Sequence, residues 1–190
     1  MTTTNFWTIE VIPWYCFALY WGLNAFHVKS TKKLEPVAAR LYTIALIALV
    51  FSLLFSNRFE SGVLGRSFLV VSSATETAGI VLTYAGVALA IWARWNIGQN
   101  WSARVSLKVD HELVRSGPYA RLRHPIYSGL LLAVIGRALF IGEWRGVLAV
   151  LIIAVVHSLK AKREEALMLQ TFGEQYRAYQ QQAGFLLPKL

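Results

Sequence analysis

Five stretches of this chain are mainly apolar over fifteen residues or more, and this restricts the possible folds more than any other feature of the sequence. A helix needs about 20 such residues, at 1.5 Å each, to cross roughly 30 Å of hydrocarbon. The stretches cover about 7–26, 38–55, 77–95, 125–141 and 145–159. Only a few residues around Gly142 and Glu143 separate the last two, which predicts a tight hairpin. Composition agrees: 56% of residues are hydrophobic and 15% charged, where soluble chains carry roughly a quarter charged. The expected fold is all-α, a polytopic integral membrane bundle of about five transmembrane helices with a cytosolic C-terminal helical tail. It is expected to be one membrane domain, 1–190, with three helices in 1–95 and a loop, hairpin and tail in 96–190. The first stretch lacks the basic start and small-residue cleavage site of a secretory signal and contains Glu10 and Pro13, so it is expected to stay in the membrane. The one cysteine, Cys16, excludes an intramolecular disulfide and a thiolate zinc cluster.

The formal net charge of +9 is distributed unevenly. With five crossings, fifteen Lys and Arg fall on one side, whereas Arg58, Arg66, Arg137 and Arg145 fall on the other. The basic side faces the cytosol by the positive-inside bias, which puts the N-terminus outside and brings the third loop and the tail together. A lipid bilayer is therefore the expected partner, with no nucleic acid, because no recognition motif for DNA or RNA is present. The location expected is a plasma membrane of prokaryotic type.

Phosphate-binding glycine loops, dinucleotide fingerprints, HExxH and nucleophile elbows are all missing. Chemistry is concentrated in two places. In the first, Gly117-Pro118 is turn chemistry and Pro125 suits the first position of a helix, so the fourth helix starts beside Arg121, Arg123 and His124. Free N–H groups and the positive dipole end at that point suit a carboxylate or phosphate, and the same residues would equally serve as an interfacial lipid anchor. In the second, His157, Lys160 and Glu164 share one helix face, with Glu165 adjacent. That cluster reads either as a Lys160–Glu164 ion pair or as a Glu poised for a cationic ligand group. Together, the two places suit a zwitterion.

The segments Gly117-Pro118-Tyr119 and Arg123-His124-Pro125-Ile126-Tyr127-Ser128-Gly129 are followed by Glu164-Glu165, Phe172-Gly173-Glu174-Gln175-Tyr176, Tyr179 and Leu187-Pro188. In order and spacing, about 95–190 resembles the isoprenylcysteine carboxyl methyltransferases and the related phospholipid methyltransferases. The resemblance implies S-adenosylmethionine as methyl donor. It also implies donor contacts from His111, Glu112, Leu113 and Val114, from Tyr119, from His124, Pro125, Ile126 and Tyr127, and from Glu164. The isoprenylcysteine enzymes carry an Arg where this chain has Lys160, so Lys160 is the candidate catalytic residue, orienting the acceptor. Lys keeps the charge but loses the bidentate fork that matches a carboxylate. The expected reaction is methylation of a lipophilic, membrane-embedded acceptor, most simply carboxyl O-methylation of an isoprenylcysteine-like or other lipidic acid. Methylation of a phospholipid amine, reduction by an NADPH-dependent enzyme of sterol-reductase type and a non-catalytic membrane adaptor are the alternatives.

Overall fold

A computed structural model describes residues 3–24, 31–34, 37–101, 106–108 and 112–189. Six helices follow in order: α1 (Thr3–Leu23), α2 (Val37–Phe55), α3 (Ser73–Ile97), α4 (Pro125–Ile141), α5 (Trp144–Phe172) and α6 (Glu174–Gln182). The all-α expectation needs one amendment. A short antiparallel ribbon joins β1 (Thr31–Leu34) to β2 (Ser106–Lys108), pairing the first and third connections.

Helix limits follow local chemistry. Ser72 and Thr75 form a reciprocal capping box that starts α3. Gly98, Gly142 and Gly173 all adopt positive φ where α3, α4 and α5 end. The hairpin turn at Gly142 is held from outside: Phe68 donates its N–H to the Gly142 carbonyl, while Trp144 and Arg145 donate theirs to Arg66 and Leu64. Beyond the fifth apolar stretch α5 continues unbroken to Phe172 and carries Lys160, Glu164 and Glu165.

The α3–α4 pair forms the spine of the molecule. Gly79, Gly86, Gly129 and Gly136 bring the two backbones together; a Cβ on Gly79 would lie 2.7 Å from the Gly136 carbonyl oxygen. Between them, the Thr83 hydroxyl donates to the Gly79 carbonyl at 2.9 Å. Small residues at such a crossing gain dispersion contacts where lipid offers no hydrophobic drive. Among the described residues two helices, Ser73–Asn100 with its final turn and Trp144–Phe172, are long and apolar enough to cross a membrane, and Leu41–Phe55 and Pro125–Ile141 are shorter apolar helices. On α5 the side chains of Leu148, Leu151, Val155 and Leu159 point outward, a face suited to lipid.

Arg94 and Arg137, both counted from the sequence toward the charge on the two sides, are buried inside helices. Arg137 is buried in α4, donating to Glu10 Oε2 of α1 at 3.0 Å and to the Leu54 carbonyl of α2 at 3.0 Å. Glu10 is itself fully buried and also accepts from the Trp14 indole at 3.2 Å. The interior ion pair thus joins three helices and covers a free carbonyl in the last turn of α2. Arg94 is buried in the last turn of α3 and donates to the carbonyls of Gly98 and Asn24. Neither side chain therefore contributes to the loop charge that the sequence suggested.

Candidate active site

An open cleft lies where the start of α4, the extension of α5 and α6 meet. Of the residues expected to contact a donor, Glu112, Leu113, Val114, Tyr119, His124, Ile126, Tyr127 and Glu164 line it. Pro125 is buried as the first residue of α4 and does not line the cleft; it positions its neighbours. His111 lies outside the described residues. Lys160 is not among the lining residues; its Nζ sits 5.5 Å from the centroid of the Tyr127 ring.

The adjacent carboxylates on α5 have different environments. Glu165 is held closely. Arg123 donates its Nε–H to Oε1 at 2.6 Å, the His124 Nε2 lies 3.2 Å from the same oxygen, and Gln180 donates to Oε2 at 3.0 Å. Glu164 Oε1 accepts from the Tyr127 hydroxyl at 2.6 Å, and Oε2 lies 3.6 Å from His124 Nδ1. Glu164 is also the more open, 26% exposed against 13% for Glu165, and it alone of the two lines the cleft. Glu165 therefore secures the fold, and Glu164 offers lone pairs to a guest.

That division also corrects the expected anion site. Arg123 reaches the cleft, but its guanidinium serves Glu165 and the carbonyls of Gln180 and Ala183. Arg121 is exposed and does not line the cleft. Three charge-assisted bonds make Arg123 a fastener for the C-terminal segment, where the sequence suggested a receptor for a ligand carboxylate. The Arg123 N–H also donates to the Gly184 carbonyl, and Gly184 returns one to Arg121.

The aromatic side chains form the walls. Tyr127 is stacked between His124, 5.7 Å away at 9°, and His157, 4.8 Å away at 28°. From α6, Tyr176 and Tyr179 close the opposite side with Met168. The Tyr179 hydroxyl donates to the Tyr119 carbonyl at 2.6 Å, tying the tail to the turn Gly117–Ala120. Burial is the main cause that raises the Tyr179 phenol to about 12, and it raises Tyr119 further, with the Glu164 charge adding to the shift. Both therefore stay neutral hydrogen-bonding walls.

Ile97, Asn100, Trp101, Met168, Tyr176 and Tyr179 line the cleft without having been identified as site residues from sequence. The i, i+3 spacing of the two tyrosines was a usable signal, since it puts both on one face of α6. No local signal marked Ile97, Asn100 or Trp101, which reach the cleft only because α3 packs along α4.

The described residues contain no cluster of metal-ligating side chains. A sequence model of the phospholipid methyltransferase family matches residues 74–175. The chain is 30% identical over 127 residues to a protein-S-isoprenylcysteine O-methyltransferase of Schizosaccharomyces pombe, covering 64% of this chain and 54% of that one. It is 27% identical over 154 residues to a probable protein-S-isoprenylcysteine O-methyltransferase of Oryza sativa subsp. indica, covering 72% and 79%. A solved structure of a eukaryotic intramembrane Ras methyltransferase, isoprenylcysteine carboxyl methyltransferase, shares the fold with a TM-score of 0.56 at 24% identity, covering 80% of this chain and 51% of that chain. The chain thus spans about half the length of the yeast relative and of the solved structure. The family model takes in more than half of the chain, including α4 and α5, and the chain belongs to the phospholipid methyltransferase family.

Proposed function

We propose that this integral membrane protein is an S-adenosylmethionine-dependent methyltransferase acting on a lipophilic acceptor, most simply the carboxylate of an isoprenylcysteine-like or other lipidic acid. The observation that carries this reading is Glu164, an acidic group oriented by Tyr127 at the edge of a cleft with aromatic and aliphatic walls. A donor that is cationic at its amino end and apolar along its adenosine fits such a cleft, and the lone pairs left on Glu164 suit its ammonium group. When bound, S-adenosylmethionine supplies a methyl group on a sulfonium, transferable to a nucleophile by in-line displacement.

The residues of this chain have the following roles. Glu164 receives the ammonium, with His124 and Tyr127 fixing its orientation. Leu113, Val114, Tyr119 and Ile126 enclose the flat apolar part and exclude water, which strengthens every charge interaction inside. Lys160, with its Nζ over the Tyr127 ring, orients the negative end of the acceptor. A carboxylate acceptor is already anionic, so no base is needed. An amine acceptor must lose a proton, and Glu165, the carboxylate next to Glu164 on α5, is occupied by Arg123, His124 and Gln180. Oxygen methylation is the better fit for that reason. Phospholipid amine methylation is the second reading, carried by the description of the matched family.

We infer further that the chain forms one membrane unit with five crossings, the N-terminus outside and the cleft at the cytosolic face. Such an arrangement gives lipid-borne acceptors access from the bilayer and the soluble donor access from the cytosol.

The test is incubation of the purified protein with labelled S-adenosylmethionine, an S-farnesylcysteine derivative and a total lipid extract. Base-labile methyl release from a lipidic acid is the expected outcome. Base-stable label on a phospholipid amine would favour the second reading. Absence of transfer together with tight NADPH binding would replace both by a reductase, and absence of all three would leave an adaptor.

A further inference from the structure

Asn100 lines the cleft and carries a buried polar atom that no described residue satisfies. It ends the turn Gly98–Asn100 after α3 and lines the cleft between Ile97 and Trp101. Its Oδ1 is buried and has no hydrogen-bond partner among the described residues.

Neighbouring contacts hold this segment in place. Arg94 donates to the Gly98 carbonyl at 2.7 Å and lays its guanidinium 4.6 Å from the Trp101 ring centroid. The same arginine reaches the Asn24 carbonyl at the end of α1, and Trp21 meets Trp101 edge-on at 5.9 Å.

An unpaired buried amide oxygen costs roughly 1–3 kcal/mol, a cost that is removed when a ligand supplies the missing donor. The kind of donor is restricted by the surroundings. A cation entering the cleft finds the carboxylates of Glu112 and Glu164, which outcompete a neutral amide. The oxygen of Asn100, in a part of the chain that also brings Ile97 and Trp101 to the cleft, suits a neutral N–H on the edge of a flat, otherwise apolar ring.

We propose that Asn100 Oδ1 accepts a hydrogen bond from the exocyclic amine of adenine, so that Asn100 is the residue that selects an adenosyl ligand over its 6-oxo counterpart. This rests on the methyltransferase reading above and adds to it a named specificity determinant. The 6-oxo ring places a carbonyl where the amine stood, so two acceptors would face each other.

The experiment is calorimetric binding of S-adenosylhomocysteine and S-inosylhomocysteine to the full chain in detergent, for the wild type, Asn100→Leu and Asn100→Ala. The wild type is expected to prefer the adenosyl ligand by about tenfold or more. Both variants are expected to lose about that factor for the adenosyl ligand and to bind the two ligands alike. The ratio of affinities is the readout because a damaged fold lowers both affinities together. Equal affinities in the wild type, or a ratio unchanged in the variants, would overturn the role of Asn100 while leaving the methyltransferase reading intact. No binding of S-adenosylhomocysteine to the wild type would overturn both.

Discussion

The Tyr127 hydroxyl donates a 2.6 Å hydrogen bond to Oε1 of Glu164, linking the first turn of α4 to the C-terminal half of α5. Because Tyr127 is also stacked between His124 and His157, the bond aims Glu164 from a ring that has little freedom to rotate. A preoriented carboxylate loses little entropy when a ligand arrives, and the first prediction follows from this.

Glu164→Gln keeps the shape and removes the charge. Affinity for S-adenosylhomocysteine, measured by calorimetry in detergent, is expected to fall by about 2 kcal/mol, roughly thirtyfold. Tyr127→Phe leaves the charge and loosens its aim, so its loss should be smaller. An unchanged affinity in Glu164→Gln would remove Glu164 from the donor site.

Lys160 holds its Nζ over the Tyr127 ring, 5.5 Å from the centroid, and is not among the residues that line the cleft. Lys160→Ala should therefore raise KM for the lipid acceptor and leave affinity for S-adenosylhomocysteine within about twofold. A drop in donor affinity matching that of Glu164→Gln would show that Lys160 belongs to the donor side.

Glu165 neutralises Arg123, and Arg123 in turn holds the carbonyls of Gln180 and Ala183. Glu165→Gln is expected to lower stability by about 2 kcal/mol, since one partner of a largely buried pair is left uncompensated. Limited proteolysis should then cut first near the C-terminus. A variant with wild-type melting and wild-type protease resistance would contradict the fastening role.

Arg137 and Glu10 form an ion pair inside the helix bundle. Arg137→Met alone should cost about 3–5 kcal/mol, because Glu10 would be left charged in an apolar interior. Adding Glu10→Leu should recover most of that loss. Thermal melts in detergent decide it, and a double variant no more stable than the single would show that the pair contributes more than mutual neutralisation.

Tyr179 has a folded-state pKa of about 12, above the roughly 10 of a free phenol. The unfolded chain therefore loses this proton first, and stability is lost as pH rises from about 10 to about 12. Below pH 10 the group has no effect on the slope. Tyr179→Phe should flatten part of this alkaline decline, with buried Tyr119 and Tyr176 accounting for another part. A slope unaltered by the substitution would mean that Tyr179 ionises as freely in the fold as outside it.

Local chemistry in the sequence was enough to place most of the helices. The start at Pro125, the turn at Gly142 and the break at Gly173 depend on backbone angles and missing donors, which neighbouring residues alone impose. Most of the cleft residues were legible for a related reason: Tyr119, His124, Tyr127 and Glu164 lie in short motifs whose spacing survives folding. Long-range packing decided the rest. Glu164 and Glu165 are neighbours of identical chemistry, and a turn of about 100° per residue directs one to the cleft and the other to Arg123. The burial of Arg137 against Glu10 joins positions 127 residues apart, and the glycine contacts of α3 with α4 carry Asn100 and Trp101 into the cleft. Periodicity reports which face of a helix is apolar, but it cannot say which other helix that face will meet, and the partner determines whether a buried charge is compensated or exposed to a ligand.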